Sequence, residues 1–470
     1  MSPSAETDIT VLDHAPVVVI GAGYAGLSAA LVLHDHGLRA TVLEGADRVG
    51  GRIWTQHHVR AGAIDHGGQW AGPTQHRLLA LAERFACARF PTWDSGNHLE
   101  RWHDGTVRPF RDAGPEAAPG MAAYNAAVID LEKLAATVEL DAPPETPGAE
   151  ALDSETVESY LHRTVASADA RRRLRLAVQG VFSTEPRDMS VLHLAFYIAS
   201  AGGYEQLMET AGCAQEQRFI GGAQAPALAI TEHLGGSVHL DSPVRAVERT
   251  RDGYQVRTPT SAVHTDHVIV ALPPPAIAKI DFDPPLPVDR ARWTQRSVMG
   301  DVAKMHLTYP RPFWRDAGLS GQATLYGSEP VGVTFDNSPP DASAGVLVCF
   351  VYGDRLRHWS RLGTAGRRAS IIETATTLFG SEASEPEDYL EQIWPEDRFA
   401  RGGYAAIPAP GAWHEYGHAW RTPVEGLHWA GTETASVWHG YMDGAISSGE
   451  RAAREVLESV ATTTATDDRP

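Results

Sequence analysis

Apolar and polar positions follow different rhythms along this chain, and each rhythm predicts an element. Val17, Val18, Val19 and Ile20 form an unbroken β-branched run, the pattern of a strand buried on both faces. Gly21, Gly23 and Gly26 follow, and then small and apolar residues to Val32, so strand, glycine turn and helix come in that order, with residues 34–37 closing the helix. Residues 40–43 read as a second strand that ends at Glu44. Short strands are predicted at 237–240, 244–247, 254–257 and 267–270, and a helix at 121–137 between Pro-containing loops. From Val302 to Tyr309 the alternation has a period of two, which puts Lys304, His306 and Thr308 on one face and Met305 and Leu307 on the other. Residues 427–430 read as a strand, Gly431-Thr432-Glu433 as a turn and 441–457 as an Ala-rich helix.

The first of these patterns carries chemistry. Gly21 permits a tight turn, Gly23 lets backbone approach a phosphate, and Gly26 lets the helix pack closely on the strand. A dinucleotide pyrophosphate then meets the helix N-terminus, where free N–H groups and the positive dipole end point at it. Glu44 closes the second strand where an acidic side chain reaches ribose hydroxyls and repels a 2′-phosphate, which leaves NAD and FAD and disfavours NADP. The string from Asp47 to Thr55 adds Arg48, Gly50, Gly51 and Arg52, with guanidinium groups to neutralise the pyrophosphate and a Gly pair against which it packs.

Composition narrows the classes. A chain of 470 residues is long enough for about two to three domains. Its net charge of −19 argues against nucleic acid or an anionic membrane surface as partner. Cys87, Cys213 and Cys349 are widely spaced and odd in number, which reads as free buried thiols in a reducing, cytoplasmic setting. Residues 1–13 are polar and lack a signal-peptide core, and no apolar run approaches a membrane span. No paired Cys or His spacing suggests a metal, and hydrolase chemistry has no support.

Several separated motifs, in order, resemble the flavin-containing amine oxidases and, within them, the monoamine oxidase branch. Besides the glycine turn and Gly50-Gly51-Arg52, these are the string Asp65 to Gln75, the Gly221-Gly222 pair, Ala271-Leu272-Pro273-Pro274, Met299 to Lys304, and Ala430 to Glu450. The resemblance runs from about Pro16 to Leu457. It implies an α/β fold in which a Rossmann-like FAD-binding domain is interleaved with a mixed α+β substrate domain. We assign residues 13–89, 219–293 and 400–460 to the first and 90–218 and 294–399 to the second, with 1–12 and 461–470 as disordered tails. Animal members of the branch carry a C-terminal membrane helix, whereas this chain ends in a polar segment, as expected of a soluble, bacterial-type relative.

The implied reaction is oxidation of an amine to an imine. Hydride passes from the α-carbon to flavin N5, the imine hydrolyses to an aldehyde, and O2 reoxidises the flavin with release of H2O2. The resemblance gives Lys304 the role of holding a water against the flavin N5, and a cation there favours electron transfer to O2. Tyr404 and Tyr441 match a pair of parallel rings before the flavin. Gly403 stands where membrane-bound relatives have a cysteine bonded to the flavin, so FAD is expected to be noncovalent. Gly68, Gln69, Trp70, Val244, Trp394, Gly431, Glu433 and Met442 join Gly21, Gly23, Gly26, Glu44, Arg48, Gly51 and Arg52 as cofactor-binding residues. The helix start near Met442 aims its positive end at the flavin N1 and C2 oxygen.

Trp70 stands where amino-acid oxidases of this fold place a carboxylate-binding arginine, which favours a monoamine. Pocket positions implied by the resemblance are Gly180, Val181, Phe182, Leu207, Met208, Gln215, Val333 and Trp394, which suit a hydrophobic or arylalkyl amine. His66 and His439 lie within active motifs as candidate bases beside the plainer reading of hydrogen-bonded structural residues. Polyamine, amino-acid or biosynthetic amine oxidation on the same fold is the alternative reading, and a non-catalytic flavoprotein scaffold is the alternative of another class. A homodimer stays open, and so does a covering role for the loop at 113–119.

Overall fold

The computed structural model describes residues 10–111 and 118–467, so residues 1–9 and 468–470 of the expected tails, and 113–117 of the loop considered as a cover, lie outside the described residues. The chain divides into two compact units. One comprises Met1–Arg52, Gln224–Val298 and Glu415–Pro470, the other Ile53–Ala223 and Met299–His414.

The first unit is built on an eight-stranded sheet. Its parallel portion runs from Val238–His239 through Ala40–Leu43 and Thr10–Ile20 to Ser261–Val270, which also pairs with Leu427–Trp429 in parallel. Val17, Val18 and Val19 are fully buried, as an apolar run in a central parallel strand requires. An antiparallel hairpin of Ala246–Thr250 and Gly253–Arg257 extends the sheet, and Asp281–Asp283 pairs with its outer strand. That strand begins two residues later than the expected 244–247, because the hairpin register joins Ala246 to Arg257 and Thr250 to Gly253. The helices Tyr24–Asp35 and Met442–Asp467 pack against each other.

Both assigned tails are shorter than expected where the chain is described. Thr10, Val11 and Leu12 pair with Ser261, Ala262 and Val263, since the long partner strand offers free edge groups there. The last helix continues to Asp467, ten residues beyond the expected end, because the segment contains neither Gly nor Pro to stop it. No helix of the described residues is long and apolar enough to cross a membrane.

The second unit carries a seven-stranded sheet in the order Asp388–Ile393, Val302–Tyr309, Gly345–Tyr352, Val333–Asp336, Leu319–Leu325, Asn97–Arg101 and Val107–Phe110. Its helices include Met121–Ala135, Ala168–Phe182 and Val191–Ala201. Residues 53–89, expected with the cofactor domain, group with this unit because Trp70–Ala71 and Arg89–Pro91 flank Gln217–Phe219 in a small sheet. Residues 400–414 also group here. The Asp153 carboxylate accepts the His414 N–H at 2.9 Å, and the Asp153 carbonyl accepts the Gly411 N–H at the same distance.

The Val302–Tyr309 strand matters most for function. It is the second strand from one edge of the sheet, flanked by Gly345–Tyr352 and Asp388–Ile393, and all its residues are buried. Ala303, Met305, Leu307 and Tyr309 pack in an apolar core with Ile371, Ala375 and Leu378 of the helix Thr364–Phe379. The Lys304 face is buried too, against polar groups.

Candidate active site

In the first unit the glycine turn has the form that a pyrophosphate needs. Gly21 has φ of +100° and donates its N–H to the Leu43 carbonyl at 2.8 Å, which ties the turn to the second strand. A Cβ at Gly26 would lie 1.9 Å from the Gly21 carbonyl oxygen, so only glycine lets the helix start this close to the turn. Gly23 caps the helix without a side-chain hydrogen bond, and the first turn holds no acidic residue, which suits an anion at this N-terminus. These features fit the diphosphate of FAD. The Gly50 N–H bonds the Ala22 carbonyl at 2.8 Å and brings the Gly50-Gly51 loop onto the same turn.

Glu44 lies at the end of the second strand, where its carboxylate accepts N–H groups from Ala22 at 2.6 Å and Ala46 at 2.9 Å. Burial pushes its pKa up, against the pull of those two N–H groups. Both arginines are engaged by protein. Arg52 makes a two-point pair with the buried Glu433, at 2.5 and 3.1 Å, and Arg48 donates to the Gly51 carbonyl at 2.9 Å. The structure thus gives Arg52 a second task beside the neutralisation expected of it, since it holds the 431–434 turn to the Gly-Gly loop. The Gly431 N–H bonds Ser448 Oγ, and Thr432 Oγ1 donates to the Tyr441 carbonyl at 2.9 Å. Met442 starts the last helix, and Tyr441 precedes it with its ring 4.9 Å from Trp438, edge to face. Val244 is half-buried against the sheet core. His439 is buried with Nδ1 3.1 Å from the Ala435 carbonyl, and desolvation pushes its pKa down to about 4.

The second unit gathers the other candidates around Lys304. Its ammonium donates to the Gly67 carbonyl at 2.9 Å and to Gln69 Oε1, and Gln69 in turn donates to Asn337 Oδ1 at 2.8 Å. Nζ lies 5.8 Å from the Trp70 ring centre and 5.5 Å from that of Phe350. Desolvation pushes the Lys304 pKa down to about 7; the Asp65 carboxylate opposes that fall and the Arg218 guanidinium adds to it. Asp65 accepts from Thr55 Oγ1 at 2.5 Å and the Ala223 N–H at 2.9 Å, yet burial still raises its pKa. Gly68 lies between these partners on the 67–69 loop.

Beside Lys304 stands an aromatic cluster. Phe350, Tyr352 and Trp394 are buried in it, and Trp54, Trp70, Tyr326, Val333, Phe335 and Tyr404 pack against it half-exposed. Trp70 meets Phe335 at 5.0 Å, and Trp394 donates its indole N–H to the His66 carbonyl at 2.9 Å. Tyr404 is positioned by the preceding turn, where the Gly403 N–H bonds the Gly300 carbonyl at 2.9 Å. Among the expected pocket positions, the structure brings together Val333, Trp394 and Gly180, whose built Cβ would lie 3.4 Å from the Tyr352 hydroxyl. Phe182 is instead buried against Tyr197 at 4.4 Å, and Val181 precedes it half-buried. Leu207 and Gln215 form a separate pair through a 3.1 Å hydrogen bond, with Met208 adjoining. His66 is buried, with Nε2 3.0 Å from Gln56 Oε1 and its ring edge-on to His306.

Sequence reading missed Asp65, Arg218 and Asn337 as members of the Lys304 cluster. Asp65 opens the Asp65 to Gln75 motif but was given no role there, Arg218 and Asn337 lie in segments remote in the chain, and the alternation puts His306 on the Lys304 face.

The sequence matches the flavin-containing amine oxidoreductase family over residues 24–457. It is 38% identical over 441 residues to a Mycobacterium tuberculosis protein named as a flavin-containing monoamine oxidase, AofH, covering 94% of this chain and 96% of that protein. It is 34% identical to human flavin-containing amine oxidase B over 94% of this chain and 86% of the relative. Among solved structures it is similar to putrescine oxidase bound to putrescine (TM-score 0.91, 31% identity, covering 95% of this chain and 100% of that one). It is also similar to cyclohexylamine oxidase from Brevibacterium oxydans (TM-score 0.92, 30% identity, with 95% and 100% covered). These likenesses extend over nearly the whole chain, both units included, and the protein therefore belongs to the flavin-containing amine oxidoreductases and is an FAD-dependent amine oxidase.

Proposed function

We propose that the protein oxidises primary monoamines with a hydrophobic or arylalkyl substituent, releasing aldehyde and H2O2. The observation that carries this reading is the aromatic and aliphatic cluster of the second unit, with Trp54, Trp70, Tyr326, Val333, Phe335 and Tyr404 half-exposed. Such walls bury an apolar substituent and strip water from the amine, which favours its neutral form. FAD, held by the glycine turn at Gly21 to Gly26 and by Glu44, would supply a hydride acceptor for the amine's α-carbon and a reductant for O2. No base for a carbon-bound proton is then needed, and the protein's work is to desolvate, orient and supply charge. Tyr404, packed against the aromatic cluster, offers a ring face that favours positive character at the amine nitrogen. Lys304 supplies the cation for the oxygen step and presents its third N–H to a water.

The likeness to putrescine oxidase favours a second reading, a diamine. A carboxylate is the strongest partner for a second ammonium group, and the Glu100 carboxylate, which is linked to the cluster through Arg173 and Tyr326, is already paired with Arg173. Anaerobic mixing with an amine panel separates the readings. Bleaching of the flavin by benzylamine and tyramine but not by putrescine is expected; bleaching by diamines or amino acids alone would establish the second reading.

Gly403 has no side chain to bond a flavin, so we propose that FAD is held noncovalently. Acid precipitation is then expected to leave the yellow colour in the supernatant, and colour in the pellet would refute it.

A further inference from the structure

His306 is fully buried, and neither ring nitrogen has a hydrogen-bond partner. A neutral imidazole carries one donor and one acceptor, and groups of this kind rarely stay unmet in a protein interior. It shares a strand face with Lys304 two residues away, a spacing of about 6.5–7 Å along the strand. The charged and titratable groups that face it are Lys304, His66 and Arg218, and those facing Lys304 are Asp65 and Arg218. Lys304 and His306 thus interact electrostatically without a direct hydrogen bond, and a bridging water would join them. Two of the three Lys304 N–H groups are used, on Gly67 and Gln69, and no described residue accepts the third. The polar thread from Lys304 through Gln69 ends at Asn337, whose buried Nδ2 also lacks a partner. His306 thus leaves one acceptor and one donor unmet and Lys304 leaves one donor, a set of buried polar groups that water satisfies.

We propose that His306 is a positioning residue for the oxygen step: its neutral imidazole accepts a hydrogen bond from the water that Lys304 holds, fixing that water and stabilising the ammonium. This rests on the assignment of Lys304 to that step. Burial and the neighbouring cations keep the His306 pKa well below its usual value, so the ring stays an acceptor at neutral pH. A water that donates to His306 is a better acceptor for the lysine N–H, since hydrogen bonds in a chain polarise one another. The ring itself neither gains nor loses a proton in the cycle.

The test has a structural arm and a kinetic arm. A high-resolution crystal structure of the holoenzyme is expected to show an ordered water bonded to both a His306 ring nitrogen and Lys304 Nζ; a dry gap there would overturn the proposal whatever the kinetics. In His306→Leu, the pH at which reaction with O2 slows is expected to fall by about one unit, with reoxidation about tenfold slower above it. His306→Gln, which keeps an acceptor, is expected to restore most of that loss. An unshifted limb in His306→Leu would overturn the proposal. If Lys304→Met reoxidised normally, the oxygen role of Lys304 would fall instead, and the bridging water would still stand or fall by the crystal structure.

Discussion

Lys304→Met is expected to slow the reaction of the reduced enzyme with O2 by roughly a hundredfold to a thousandfold, while reduction by amine under anaerobic conditions changes by about threefold at most. Methionine keeps much of the side-chain volume and apolar stem, so the variant removes mainly the charge and the donors to Gly67 and Gln69. Stopped-flow absorbance resolves the two half-reactions, and equal losses in both would remove Lys304 from the oxygen step. A pH dependence follows. Burial has lowered the lysine to about 7, so the ammonium dominates below that pH and is lost above it. The rate constant with O2 should therefore be high on the acid side and fall by up to about tenfold per pH unit above the lysine's pKa, a limb that Lys304→Met should lack.

Lys304 was legible because strand alternation and a family resemblance converged on one residue. Its surroundings were not. Alternation predicts which residues share a face but not what covers that face, and a lysine, a histidine and a threonine on one side of a strand ordinarily mean solvent. Here the covering groups are the Gly67 carbonyl, Gln69 and His66, with Asp65 and Arg218 supplying charge, so the face is buried and polar. Asp65 and Arg218 sit 239 and 86 residues before Lys304, and no local pattern links them to it. The burial that lowers the lysine's pKa, and the opposing charges of Asp65 and Arg218 beside it, exist only once the second unit has folded.

The fold was legible to a similar depth. Buried β-branched runs and glycine turns announce themselves locally, and Val17–Ile20 and Ala40–Leu43 pair as parallel neighbours. Unit boundaries depend on pairing between distant segments. Residues 53–89 follow the cofactor motif directly in sequence, yet Trp70–Ala71 finds its partner at Gln217–Phe219, and that pairing draws the segment into the second unit. The chain ends were misjudged for the same reason. A polar, Thr-rich stretch reads as disorder by composition, whereas here it continues a helix already anchored by Ala452, Ala453 and Val456 in the core.

Gly26→Ala is expected to yield protein that has lost most of its FAD, with affinity reduced by roughly a hundredfold or more, the equivalent of about 3 kcal/mol. The added methyl would lie 1.9 Å from the Gly21 carbonyl oxygen and 3.1 Å from Val19 Cγ1. Neither neighbour can rotate away: one is backbone in the turn, and the other belongs to a fully buried residue of the central strand. The helix must therefore move back from the turn, and the N–H groups at its N-terminus move with it, away from where a diphosphate would rest. The 450-to-280 nm absorbance ratio of the purified protein measures the loss, and thermal unfolding monitors the fold. Gly366→Ala is the matched control. That glycine lies in the helix Thr364–Phe379, where a Cβ would meet only Leu362 Cβ at 3.5 Å, so helix propensity predicts a stabilisation of about 0.5–1 kcal/mol with flavin content unchanged. Full flavin content in Gly26→Ala would mean that the turn is not where the diphosphate binds; loss in both variants would mean that flavin retention tracks overall stability rather than the geometry of the turn.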